Sequence, residues 1–125
     1  MAKVLIVDDS MVFRKKMEKH VKELGHESIL AANGEEGLQA YADNSGVALV
    51  LTDLNMPKMN GMDMVDKIKQ DQSSQETVFV VMSSVGQGTD EQVKRGQEIG
   101  INYWLSKTVE DASLVTLIEK VLAGK

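Results

Sequence analysis

Three stretches of the chain are continuously apolar: "VLIV" (4–7), "VALVL" (47–51) and "VFVVM" (78–82). Runs of this length without alternation are the pattern of strands buried on both faces, and parallel sheets bury both faces. Two further stretches, "ESIL" (27–30) and "NYWLS" (102–106), mix polar and apolar positions, as edge strands do. Between them the apolar spacing changes to the helical period. Phe13, Met17, Val21 and Leu24 fall on one helical face, and so do Leu114, Leu117, Ile118, Val121 and Leu122. Helix-start signals agree: Ser10 stands where a first helix begins, and Asn33 with Glu36 and Thr89 with Gln92 have capping-box spacing. Gly25 follows Leu24 as a C-terminal stop.

The pattern predicts five β–α units, with strands at 3–8, 27–31, 47–52, 78–82 and 102–106, each followed by a helix. Such alternation makes an α/β fold: a mostly parallel sheet covered by helices on both faces. Five strands are too few for an eight-stranded barrel, so an open, doubly wound sheet is expected. With 125 residues and no repeat or linker, one domain over 1–125 is expected, with no output domain after the last helix. The fourth helix, "DEQVKRGQEIG", looks weak, because Gly96 in its interior costs about 1 kcal/mol relative to alanine. Its entry carries Gly86 and Gly88, and this region is expected to move more easily than the rest.

Composition narrows the function classes. There is no cysteine, hence no disulfide framework, thiolate metal site or catalytic thiol. The net charge of −5 and the lack of a long basic run argue against direct nucleic-acid binding. No apolar stretch approaches the roughly 20 residues that span a bilayer, and the start "MAKVLIVDD" does not have the form of a signal peptide. A soluble cytoplasmic protein is expected.

Ligands of open α/β sheets bind beyond the carboxyl ends of the strands. Those ends carry Asp8 and Asp9, then Asp53, then Ser83 and Ser84, then Lys107. Neighbouring strands lie about 4.8 Å apart, so three carboxylates, a hydroxyl and an ammonium converge in one cleft. A single aspartate at a strand end is commonly a turn former, and Asp8-Asp9 alone could cap a helix; the combination is much harder to obtain by chance. Clustered carboxylates repel unless a proton or cation intervenes. All-oxygen donors favour Mg²⁺, Mn²⁺ or Ca²⁺, and Mg²⁺ suits a site with few protein ligands. A carboxylate nucleophile beside a metal and a lysine suits phosphoryl transfer.

The stretches "VLIVDDS" (4–10), "AANGEEGL" (31–38), "LTDLNMPKMNG" (51–61), "VVMSS" (80–84) and "WLSK" (104–107), in this order and spacing, resemble the CheY-like response-regulator receiver domain over essentially the whole chain. The resemblance implies the flavodoxin-like strand order 2-1-3-4-5. It implies Asp53 as phosphoacceptor, Asp9 as a direct Mg²⁺ ligand with Asp8 as its partner, and Asn55 as the donor of a metal-binding backbone carbonyl. It further implies Ser83 and Lys107 as partners of the phosphoryl group, and Trp104 as the aromatic switch residue. Implied partners are a sensor histidine kinase or histidine phosphotransfer protein and a downstream target that reads the α4–β5–α5 face. A monomeric phosphoacceptor switch is expected, not an enzyme in the usual sense, of the chemotaxis or phosphorelay type.

Two positions depart from the family pattern. Thr108 stands where a proline in a cis peptide is usual. A cis bond costs about 2.5–4 kcal/mol before threonine and about 0.5–1 before proline, so a trans Lys107–Thr108 bond and a repositioned loop are expected. Ser84 stands where a small residue such as alanine is usual, and it shares the mouth of the site with Val85 and Met56.

Other residues have plainer readings. Met62 or Met64 is expected in the core and Met59 on the loop surface, while His20 and His26 lie away from the strand ends. Pro57 shapes the loop beside Asp53, Asn60-Gly61 turns into the third helix, and the charges of "RKKMEKHVKE" form a solvated face. Three other functions compete. A small Mg²⁺-dependent phosphotransferase lacks a second acid, since the residue two beyond Asp53 is Asn55. A flavin-binding module lacks a phosphate loop, since "DDSM" repels phosphate. A degenerate receiver would bind its partners without phosphorylation.

Overall fold

The computed structural model describes residues 2–71, 76–83 and 89–123. Strands β1 (Lys3–Val7), β2 (Glu27–Ala31), β3 (Val47–Asp53), β4 (Val78–Ser83) and β5 (Tyr103–Ser106) alternate with helices α1 (Met11–Glu23), α2 (Gly34–Asp43), α3 (Gly61–Asp71), α4 (Asp90–Ile99) and α5 (Asp111–Leu122). The strands form one sheet in the order β2-β1-β3-β4-β5, and all four pairings are parallel. The two strands with mixed patterns are therefore the two edges. Each predicted strand is present within one residue of its expected bounds.

Successive residues of a strand point to opposite faces, which explains why the central runs are apolar throughout. Val4, Ile6, Leu49, Leu51, Val80 and Met82 meet Met17 and Val21 of α1 and Leu114, Ile118 and Leu122 of α5. Leu5, Val7, Val50 and Phe79 turn the other way, onto Tyr41 of α2 and Met64, Val65 and Ile68 of α3. A third cluster joins Leu54, Met62 and Val81 to Ile99, Ile101 and Trp104. Helices α1 and α5 thus cover one face, and α2, α3 and α4 the other.

The predicted caps form. The Ser10 hydroxyl accepts from the Phe13 amide, and Thr89 and Gln92 make a complete capping box. Asn33 caps α2 by accepting from the Glu36 amide, but the Glu36 carboxylate accepts from the Ala32 amide, one residue short of a closed box. Gly25 has φ of +85°, the left-handed turn expected after α1.

Four readings are sharpened or corrected. Met62 and Met64 are both buried, but Met59 packs against the α2–α3 core and is not free loop surface. Gly96 is no mere weak point: a Cβ there would lie 3.1 Å from Cζ3 of Trp104, so the missing side chain seats the indole against α4. Asn60 does more than turn, because its side chain accepts from the Asp63 amide at the start of α3. On α1, Lys16 is not simply solvated; its ammonium lies 2.7 Å from Asp111 at the start of α5, with His20 3.7 Å from the same carboxylate. Gly86 and Gly88 lie outside the described residues, as do Ser84 and Val85.

Candidate functional site

The sheet delivers its carboxyl ends to one edge of the molecule. Asp8 follows β1, and its amide donates to the Ala31 carbonyl, so the parallel ladder continues one step past the strand. Its side chain is almost wholly buried, at 1% exposure. One carboxylate oxygen accepts from the Ser10 amide at 2.8 Å, and the other lies 2.7 Å from Nζ of Lys107. The Arg14 guanidinium donates to the Asp8 backbone carbonyl at 2.6 Å. The turn between β1 and α1 is thus tied at three points, and Asp9 projects from it into solvent.

Asp53 is the last residue of β3, and the ladder continues past it through the Leu54 amide to the Met82 carbonyl. The side chain is 6% exposed. Its Oδ2 lies 3.4 Å from Nζ of Lys107, and its buried Oδ1 has no hydrogen-bond partner among the described residues. The loop beyond is unusually tight. The Met59 amide donates to the Pro57 carbonyl, and between them Lys58 has φ of +69°, which makes a strained γ-turn. Gly61 then returns against β3: a Cβ there would lie 2.2 Å from the Asp53 carbonyl oxygen. Asn55 is exposed and Met56 half-buried at the rim of this loop.

Ser83 ends β4 and is buried, and its carbonyl accepts from the Lys107 amide at 2.8 Å. The described residues contain no cis peptide, so Lys107–Thr108 is trans, as expected. The lysine reaches the site all the same. Ser106 braces the turn: its hydroxyl bonds the Thr108 hydroxyl at 2.8 Å and accepts from the Thr108 amide, and its carbonyl accepts from the Val109 amide. The ammonium also faces the Phe13 ring, 4.5 Å from its centroid.

The electrostatics follow from this crowding. Carboxylate oxygens of Asp8, Asp9 and Asp53 all lie within 4.8 Å of one another. Burial raises the pKa of Asp53 above the ordinary carboxylate value, the neighbouring Asp8 charge adds to the rise, and Lys107 offsets it only in part. Burial also works against the Lys107 ammonium, but Asp8 and Asp53 outweigh it and hold its pKa above the ordinary lysine value. Three carboxylates against one ammonium leave an excess of hard oxygen donors, the chemistry of a Mg²⁺-type cation site.

Trp104 stands apart from the carboxylates. It pairs with Val81 in the sheet, its ring packs on Gly96, and its indole nitrogen is buried without a partner among the described residues. It is coupled to the site through β5, whose end carries Lys107, and through the β4–β5 pairing of Ser83 with Ser106.

The structure therefore brings Asp8, Asp9, Asp53 and Lys107 together, with Ser83 on the neighbouring strand end, Asn55 at the rim and Trp104 one strand away. Sequence reasoning gave no site role to Phe13, Arg14 or Gly61. The helical period had placed Phe13 on the core face of α1, and only the tertiary arrangement shows that this face meets Lys107. Nor did it single out Met11 and Val12, which are exposed by 59% and 80% on the first turn of α1, beside the carboxylates.

Comparison with known proteins agrees with this geometry. The sequence profile of the response regulator receiver domain matches residues 4–119. The chain is 31% identical over 121 residues to the chemotaxis protein CheY1 of Helicobacter pylori, covering 96% of each chain. It is 32% identical over 124 residues to the protein PilH of Pseudomonas aeruginosa, covering 99% of this chain and all of that one. The structure of the Vibrio cholerae chemotaxis protein CheY4 superposes with a TM-score of 0.86 at 28% identity, covering 98% of this chain and 99% of that one. The buried strand-end carboxylates, the strand order and the full-length match together make this chain a member of the response-regulator receiver domain family.

Proposed function

We propose that this receiver, a single domain over residues 1–125, accepts a phosphoryl group on Asp53 from a phosphohistidine and passes the change to a downstream target. The observation that carries the reading is the Asp53 carboxylate, which is held at a strand end with one oxygen unpartnered among the described residues and the other 3.4 Å from the Lys107 ammonium. An unpartnered carboxylate oxygen is a nucleophile without a competing hydrogen bond. As it attacks phosphorus, the P–O bond forms, the P–N bond of the donor breaks, and that bond's electron pair returns to the imidazole. Lys107 neutralises charge on the transferring oxygens, and the Ser83 hydroxyl turns to hydrogen-bond them afterwards.

Asp8, Asp9 and Asp53, with the Asn55 carbonyl, would hold Mg²⁺. The fit rests on the three clustered carboxylates and on the orphaned oxygen of Asp53. When bound, the ion supplies positive charge that offsets the repulsion of the carboxylates and the donor phosphate. The donor is a sensor histidine kinase or a histidine phosphotransfer protein. Exposed Met11 and Val12 beside the site suit docking of its apolar surface.

The acyl phosphate adds negative charge and new acceptors at Asp53. It draws Ser83 and Lys107 toward it, and the shift reaches Trp104 through β4 and β5. The buried, unpaired indole N–H supports Trp104 as the switch: leaving such a donor unsatisfied costs about 1–3 kcal/mol, which narrows the gap to a second ring position. The α4–β5–α5 face is then a population switch that a target protein reads. The names of the relatives favour a chemotaxis-type pathway, with a phosphorelay as the other form of the same chemistry. Among the described residues no helix is long and apolar enough to cross a membrane, in keeping with a cytoplasmic switch.

The test adds Mg²⁺ and then a small phosphodonor or beryllofluoride while following Trp104, the only tryptophan. A stoichiometric, Mg²⁺-dependent fluorescence change that disappears in Asp53→Asn is expected. Absence of an adduct on Asp53 by mass spectrometry would falsify the reading, and turnover of many equivalents of phosphodonor would favour a phosphotransferase.

A further inference from the structure

We infer that the aromatic face of Phe13 is a positioning element for the site: it fixes the Lys107 ammonium over Asp8 and Asp53. The inference rests on the reading of Asp53 as phosphoacceptor. A lysine side chain has many rotamers, and the segment after it does little to restrict them, because Thr108 is exposed and, among the described residues, bonds Ser106 alone. Yet the ammonium is confined. Asp8 and Asp53 hold it at 2.7 and 3.4 Å, and the Phe13 ring faces it at 4.5 Å from the centroid. A cation within about 6 Å of a ring face is attracted by the negative charge of the π cloud, more strongly where water is excluded. The Lys107 side chain is only 16% exposed, so the attraction is little screened.

The ring is itself fixed by the turn that fixes Asp8. The Ser10 amide donates to the Asp8 carboxylate, and the Ser10 hydroxyl accepts from the Phe13 amide. Six residues of chain, Asp8 to Phe13, thus set the carboxylate on one side of the ammonium and the π face on another. The other cation near this ring, Lys16, lies farther away at 5.9 Å and is anchored on Asp111, so Lys107 is the closer partner of the face. Phe13 also packs against the α1–α5 core, and an aliphatic residue of similar size can supply that contact but not the attraction.

The test compares wild type with Phe13→Leu, which keeps the packing and removes the π face, and with Phe13→Tyr, which keeps both. Phe13→Met serves as a second non-aromatic variant if Phe13→Leu does not fold by circular dichroism. The first readout needs no phosphorylation. The ε-methylene protons of Lys107, assigned by their loss in Lys107→Arg, should resonate upfield of the other lysines in wild type and Phe13→Tyr, and return to the ordinary position in the non-aromatic variants. The second readout is the beryllofluoride concentration for half-saturation in Mg²⁺, followed by fluorine NMR. It should rise about three- to tenfold in Phe13→Leu, and Phe13→Tyr should restore it. An ordinary Lys107 shift in folded wild type overturns the inference. So does an unchanged midpoint in a folded non-aromatic variant, or a Phe13→Tyr variant no better than Phe13→Leu. A wild type that shows the upfield shift but takes up no beryllofluoride overturns the phosphoacceptor reading and the positioning role with it, leaving only the contact.

Discussion

At Asp53 two demands conflict. Reactivity needs a free carboxylate oxygen, and stability opposes burying a charge next to Asp8. The structure buries the carboxylate all the same: burial and Asp8 push the Asp53 pKa up, and Lys107 compensates in part. A carboxylate with a raised pKa in the folded state costs stability wherever it is ionised there. The cost is absent below the unfolded-state pKa and complete above the folded-state pKa. Asp53→Asn removes it, so in a chelator at neutral pH the variant is expected to melt at a higher temperature than wild type. The two should converge as the pH falls into the carboxylate range, and an equal or lower melting temperature at neutral pH counts against the account. Lys107→Ala probes the other side of the pair. The proposed acceptor Asp53 is kept, so mass spectrometry should still find the Asp53 adduct, but the Trp104 response and target binding should be largely lost; normal target activation refutes the role proposed for the lysine.

Among the elements, α4 and β5 meet where the Trp104 ring packs on the helix. Gly96 lies inside α4, and Trp104 of β5 rests on it. Gly96→Ala gains about 1 kcal/mol of helix propensity, but its Cβ would press on the indole at 3.1 Å and on Ile101 at 3.3 Å. The ring is only half-buried and lines a shallow groove with Val93 and Gln97, so it can yield outward. The expected result is a change of less than about 1 kcal/mol in denaturant unfolding, together with a red-shifted Trp104 emission. A large loss of stability with unshifted emission contradicts it. Helix α4 is further tied to α3 by Arg95, whose guanidinium lies 2.8 Å from Asp63 and 3.3 Å from Asp66. These groups are 30–46% exposed, so the ties are weak ones that a switching helix can break.

Over the whole molecule, the site is only as rigid as the sheet beneath it. Phe79 of β4 is fully buried and stacks on Tyr41 with ring centroids 6.4 Å apart, while Lys69 of α3 caps its face at 5.0 Å. Phe79→Ala should cost about 3–5 kcal/mol, the usual range for such a truncation. That is a large share of the roughly 5–15 kcal/mol that holds a domain together. Denaturant titration measures the loss, and a cost below about 1 kcal/mol would mean that the α2–α3 face of the sheet is not packed through this residue.

The chain alone determined the number, order and bounds of the strands, because continuous apolar runs and helical spacing are local consequences of burial. It also determined which residues stand at the strand ends, and so Asp8, Asp9, Asp53, Ser83 and Lys107 were legible before any coordinates. The order 2-1-3-4-5 was read by family resemblance and not from the pattern, since periodicity records which face of a strand is buried and not which strand lies beside it. Only the tertiary structure decided that "SKT", in a trans backbone, still places its lysine between Asp8 and Asp53. Only there does Gly61 lie against the Asp53 carbonyl, Gly96 against the Trp104 ring, and Phe13 against the Lys107 ammonium. The physical reason is common to all three. A close approach across a turn or between two elements, whether eight residues apart or ninety, leaves no period in the chain; it exists only once the elements have been laid against one another.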